Sequence, residues 1–167
     1  NSLFQSLLEV IHEQPSAKDL LKIELYGFLD SIVERSISSF EFKSMISIQG
    51  TIPHELALRK MEQSDILILI QDDSYVAEET IPSKVYEYLQ SNKPVFALVN
   101  NEELFNNLRE SNCYSAMIKD RKMIGKEIMS LLKDAQEKSL KHPSGDFPSL
   151  NLAIDKLLQI KMSLTDN

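Results

Sequence analysis

Cysteine is nearly absent from these 167 residues, and its scarcity is the first bound on what the chain can be. Cys113 stands alone, so no disulfide closes within the chain, and a reducing compartment such as the cytoplasm suits it. Its neighbours Asn112 and Tyr114 supply no base, so the thiol reads as a structural group rather than a nucleophile. Long apolar runs are missing too. The longest wholly aliphatic stretch is residues 66–70. A membrane span requires roughly 20 such residues, and no stretch reads as a transmembrane helix or a signal peptide. Histidine is sparse: His12, His54 and His142 fall in different predicted elements, with no His-x3-His or Cys-x2-Cys spacing. This argues against a protein-built metal site. Positive charge is in deficit, with a formal charge of −7. Phosphate backbones are bound by clustered Lys and Arg, so nucleic acid is not an expected partner, and the acidity serves solubility.

What is present is a regular alternation of helix and strand signals on a chain of one-domain length. Residues 2–13 carry Leu3, Phe4, Leu7, Leu8 and Ile11 at helical spacing and stop before Pro15. Residues 20–28 read as a strand with Gly27 at its end; residues 30–40 are ambiguous, a short helix weakened by Ser36, Ser38 and Ser39. Residues 45–49 read as a second strand, closed by Gly50-Thr51-Ile52-Pro53 before a helix over 54–63. Thr51 is a candidate cap there, with Pro53 near the first helical position. Residues 65–71, nearly all β-branched or leucine, predict a central strand buried on both faces. A polar loop follows over 72–83, longer than a connector needs to be.

A helix over 82–91, a strand over 94–99 and a helix capped by Asn101, with Glu102 and Glu103 in its first turn, come next. A weaker strand over 114–118 and a long helix over 121–138 follow. Residues 141–148 break the chain before a last amphipathic helix over 150–164. The expected fold class is α/β: an open, doubly wound, Rossmann-like parallel sheet with helices on both faces. Residues 1–141 form the nucleotide-binding unit in this reading, and 142–167 a linker and C-terminal helix that packs either on it or on an N-terminal domain. Ligands bind such sheets at the carboxyl ends of the strands, which makes the loops after Phe28, Gln49, Gln71 and Val99 the ones that matter.

The most informative stretch is residues 79–99, ETIPSKVYEYLQSNKPVFALV. Glu79 and Glu87 stand eight positions apart, one in the loop before a helix and the other about two turns inside it. Between them lies a helix start whose free N–H groups favour an anion. Two carboxylates flanking a phosphate position describe a nucleotide-sugar site. As an ionised carboxylate, Glu87 accepts two hydrogen bonds, matching the two donors of vicinal ribose hydroxyls. Its plainer reading is a surface glutamate paired with Lys84. Lys84 itself reads as a diphosphate partner or as a solvated lysine, and Gly27 as a point of close ligand approach or a turn glycine. Tyr86 and Tyr88, two positions apart on a helix, cannot face the same way, so one belongs in the core. The methionines, Met61, Met117, Met123, Met129 and Met162 among them, read as packing residues.

This stretch resembles the donor-binding core of the group 1 retaining glycosyltransferases of the GT-B fold, whose signature is Glu-x7-Glu, a small-residue turn, Pro and a hydrophobic strand. The form IPSKVYEYLQSNKPV is especially similar to bacterial polysaccharide and cell-envelope transferases. The resemblance implies a C-terminal donor-binding domain, one half of a GT-B fold, that lacks its first strand and is inactive alone. It implies a UDP- or GDP-linked sugar as substrate, no further cofactor, and a glycan or lipid-linked acceptor held by an N-terminal domain. The enzyme it implies is cytoplasmic, the inner membrane surface being an alternative place of action for the full-length protein. The catalytic residue it implies is Glu79, on the sugar hydroxyls, with Glu78 as the other candidate. The donor-binding residues are Glu87, Ile81, Pro82, Ser83 and Lys84 around the ribose and diphosphate, and Gly27, Gly50, Thr51 and Ile52 in the loops, the last three beneath the nucleobase. Many members have Phe-Gly after the first glutamate where this chain has Thr80-Ile81. A non-catalytic Rossmann-like nucleotide-binding or protein-interaction module is the competing reading. A response-regulator receiver is a weaker one, because Asp72-Asp73 only loosely imitates its phosphoacceptor site.

Overall fold

A computed structural model describes residues 2–144 of the chain. Leu7, Val10 and Ile11 recur on one face of Ser2–Glu13 (α1) and are buried there, and the helix ends two residues before Pro15. A single turn, Ala17–Leu20 (α2), leads into Ile23–Tyr26 (β1), so the strand expected from residue 20 starts three residues later. The ambiguous segment is a helix, Ser31–Ser38 (α3). Asp30 decides it, accepting from the Ile32 and Val33 amides at 2.8 and 2.9 Å. A 3-10 turn precedes Ile46–Gly50 (β2), and His54–Gln63 (α4) follows with Pro53 at its cap position and no side-chain cap, so Thr51 does not cap.

Leu67–Ile70 (β3) is followed by an unexpected short helix, Tyr75–Glu79 (α5), inside the segment read as a loop. Lys84–Gln90 (α6), Val95–Val99 (β4), Glu102–Glu110 (α7), Tyr114–Met117 (β5) and Arg121–Gln136 (α8) complete the described elements. Asn101 caps α7 as expected, accepting from the Leu104 amide at 2.6 Å.

All the described strands pair in parallel, in two ladders. β1 pairs with β2, Ile23 opposite Ile46, with an irregularity between Leu25 and Tyr26. β4 lies between β3 and β5, with Leu67 opposite Val95 and Phe96 opposite Tyr114. The alternation of β4 divides the core. Phe96 and Leu98 join Tyr114, Ala116 and Ile23 beneath Val10 and Ile11 of α1 and Ile124 and Ile128 of α8. Val95, Ala97 and Val99 face the other way, onto Val85 of α6 and Leu104 and Leu108 of α7. Helices therefore cover both faces, the Rossmann-like open α/β arrangement. Each buried aliphatic side chain contributes about 1.5–3 kcal/mol.

The sequence points to β3 as the doubly covered strand, and the structure corrects this. Every residue of β4 is buried, whereas β3 borders its ladder and leaves Ile70 49% exposed. Its unbroken aliphatic run was the misleading signal. Met117, Met123 and Met129 pack against the two clusters. Cys113 is buried, and burial pushes its thiol up to about 12, which leaves no thiolate for nucleophilic work.

Beyond α8 the backbone turns onto the amino ends of the strands. Lys141 N donates to the Tyr114 hydroxyl at 3.0 Å, and Asn112 Nδ2 donates to His142 O at 3.0 Å. Ser144 N reaches Ser111 O at 3.1 Å. These contacts lie at the edge of the sheet opposite the expected site. The last helix, expected over 150–164, and Met162 lie outside the described residues, as does most of the second unit expected from residue 142 onward. Among the described residues no helix is long and apolar enough to cross a membrane.

Candidate functional site

At the carboxyl ends of β3, β4 and β5 a set of polar side chains ties three loops together. Gln71 directly follows β3 and is 4% exposed. Its Nε2 donates to Thr80 O at 2.9 Å and Ala77 O at 3.3 Å, and its Oε1 accepts from Asn100 N at 2.9 Å. Asn100, buried after β4, turns its own Nδ2 to Ser74 O at 3.1 Å and to Glu78 Oε1 at 3.3 Å. Asn101 Nδ2 donates to Glu78 O at 2.6 Å, and Lys119, after β5, stands 3.3 Å from the Glu78 carboxylate. Within the loop, Ser74 caps α5 by accepting from the Ala77 amide. Hydrogen bonds from the Ser74 side chain and amide hold the Asp72 carboxyl below its usual range.

This scaffold separates two adjacent glutamates. The Glu78 carboxylate is engaged by Asn100 and Lys119. The Glu79 carboxylate turns to the exposed Tyr75 hydroxyl, which donates to it at 2.6 Å. That bond is the chief reason the Tyr75 phenol is raised above its ordinary pKa. A cleft of about 240 Å³ opens beside them, lined by Ile70, Gln71, Asp72, Val76, Thr80 and Pro82 among others.

Of the residues singled out in the sequence, Pro82 lines this cleft. Ile81 turns instead to the cluster around Val85 and Leu104. Ser83 and Lys84 are exposed at the start of α6, where Val85 N bonds to Pro82 O and Tyr86 N to Ser83 O. The Ser83 and Lys84 amides donate to no acceptor among the described residues, as the first turn of a helix dictates. Glu87 is exposed on α6, and its carboxylate makes no hydrogen bond or ion pair among the described residues, the Lys84 pairing included. Tyr86 and Tyr88 are both half-buried against the same cluster, although their spacing had assigned only one of them to it.

Gly27, Gly50, Thr51 and Ile52 gather at the other ladder. Gly27 N donates to Gly50 O at 2.8 Å, which joins the turns after β1 and β2. Both glycines have left-handed backbone, with φ of 112° and 70°. A Cβ added at either meets nothing within 4 Å, so conformation rather than crowding requires glycine. Thr51 is exposed and Ile52 half-buried. The structure thus brings the expected residues to the carboxyl ends of two separate ladders: Glu79 to Glu87 at one, Gly27 and Gly50 to Ile52 at the other.

Gln71, Asn100, Asn101 and Lys119 were not anticipated as part of the site. A signal existed for the first two: a polar amide directly after an aliphatic strand at the ligand-binding edge. Among the described residues no group of three or more His, Cys, Asp or Glu is gathered to hold a metal ion. No family model matches the chain, and no curated protein matches it.

Proposed function

We propose that this chain is the donor-binding part of a retaining glycosyltransferase that takes a nucleotide-diphosphate sugar, UDP- or GDP-linked, for polysaccharide or cell-envelope glycan synthesis. The observation that carries the reading is the Glu87 carboxylate, exposed on α6 with no hydrogen-bond or ion-pair partner among the described residues, while Glu78 nearby in the chain is engaged by the scaffold. An unpaired carboxylate beside a helix start matches vicinal ribose hydroxyls followed by phosphate.

In this reading Glu87 accepts both ribose hydroxyls, and Glu79 accepts sugar hydroxyls once they displace the Tyr75 hydroxyl. The Ser83 and Lys84 amides and the Lys84 ammonium meet the diphosphate. Their contribution is to stabilise charge as the diphosphate leaves an oxocarbenium-like sugar. Thr51 and Ile52 lie beneath the nucleobase. The acceptor is held by a further domain, so the chain alone binds donor without turnover.

The test is calorimetric titration with UDP- and GDP-linked sugars, wild type against Glu87→Ala. Binding that is lost in the variant supports the assignment; tight binding that the variant leaves unchanged removes Glu87 from it. A second reading, a non-catalytic interaction module, is favoured by a different observation. Phe28 and Ile32, after β1, and Tyr75 and Val76, on α5, are 90, 69, 70 and 68% exposed, apolar side chains at two places that a protein partner would cover.

A further inference from the structure

We infer that Gln71, supported by Asn100, is a positioning residue that holds the 72–83 loop in a single conformation, acting through that loop rather than on a ligand. A buried amide is stable only when its hydrogen-bonding groups are satisfied, and Gln71 directs its own wholly at this task. Its two nitrogen bonds go to Ala77 O and Thr80 O, on either side of Glu78 and Glu79. Its oxygen receives the Asn100 amide, which fixes which way the carboxamide points. Asn100 then reaches back to Ser74 O and Glu78, at the start and end of α5.

Packing alone does not hold this loop. Ala77 is buried and Ile81 packs on the cluster around Val85 and Leu104, but Tyr75 and Val76, between the end of β3 and Ala77, are exposed, so the hydrogen bonds fix the α5 turn. A five-residue helix has no stability of its own. The consequence for donor binding rests on the function proposed above; the latch itself does not.

The test is hydrogen exchange, measured by mass spectrometry on the full chain, for wild type and Gln71→Glu. The variant keeps the shape and the acceptor for Asn100 but turns an anionic oxygen toward two carbonyls. At neutral pH, exchange across 72–83 should rise about tenfold relative to wild type, with α1 and α8 unchanged. Protonation restores one donor, so the excess should fall as pH drops through the variant carboxyl's pKa, raised by burial. The ionisable groups on the surrounding elements include Asp72 and Asp73 after β3, Tyr75, Glu78 and Glu79 on α5 and Lys119 after β5, and wild type measured at both pH values corrects for them.

Asn100→Ala provides the second variant, releasing Ser74 and Glu78 and raising exchange in the same loop. Should Gln71→Glu fail to fold, that result decides. Loop exchange equal to wild type in both variants overturns the inference, and so does loosening spread evenly over the domain. Titration of wild type with UDP separates the two proposals. Failure to bind counts against the donor site alone, and unchanged loop exchange against the latch alone.

Discussion

Lys119 and Glu78 stand 3.3 Å apart across 41 positions of sequence, joining the end of β5 to α5. The same carboxylate oxygen accepts from Asn100 Nδ2, so one acidic group gathers the loops of two strands. Glu79, the next residue, takes no part and faces the Tyr75 hydroxyl. Neighbouring glutamates of identical chemistry are thereby divided between scaffold and surface.

This division predicts unequal costs of truncation. Glu78→Ala should lower stability by about 1 kcal/mol, since a partly exposed ion pair with one added hydrogen bond is worth little more. Glu79→Ala should stay within about 0.5 kcal/mol of wild type. Urea denaturation of the two variants measures both; equal losses would contradict the assignment of Glu78 to the scaffold.

The loop glycines predict a backbone effect. Gly27→Ala and Gly50→Ala should each cost about 1–2 kcal/mol, because an L side chain resists φ of 112° or 70°. The new Cβ meets open space, so Asn, which tolerates left-handed backbone, should cost less than Ala at Gly50. A neutral Gly50→Ala would show that the turn relaxes freely.

Much of the fold could be read in the chain. Among the described residues, alternating aliphatic runs and amphipathic helices located the five strands and the longer helices, because burial against covering layers leaves a periodic imprint. Less was readable where a pattern has two physical causes. The run at Leu67–Ile70 looks as buried as Val95–Val99, yet only pairing on both sides distinguishes the central strand, and pairing is long-range. Helix α5 was hidden in a polar segment, its one local signal being Ser74 three residues before Ala77. The candidate site was half legible: the spacing of Glu79 and Glu87 drew attention to the stretch that holds them, whereas the contacts of Gln71 and Asn100 depend on partners that only folding brings near.

The strand correction yields its own prediction. Leu98→Ala, in the strand covered on both faces, should cost about 3–5 kcal/mol through lost burial and a cavity. Ile70→Ala, half exposed at the border of its ladder, should cost about 1 kcal/mol. Chemical denaturation of the pair would reverse this order if β3 were the central strand.

Alkaline stability follows from two buried groups. Burial pushes the Cys113 thiol from 9.0 up to about 12 and is the largest cause raising the Tyr114 phenol from 10.0 up to about 12. Both pKa values are raised on folding, so their contribution is complete below about pH 9 and is lost as pH rises toward 12. The urea midpoint should fall across that window, and Tyr114→Phe should flatten the part above pH 10. Native Cys113 should also resist thiol reagents at pH 8 until the chain is unfolded.

The most direct test of the account is a cycle in which isothermal titration compares UDP and GDP with their 2′-deoxy forms on wild type and Glu87→Ala. The account predicts that wild type binds at least one ribonucleotide, that Glu87→Ala weakens it about 10- to 100-fold, and that the deoxy penalty of wild type disappears in the variant. A ribonucleotide bound equally well with and without Glu87, and equally well with and without its 2′-hydroxyl, would contradict it.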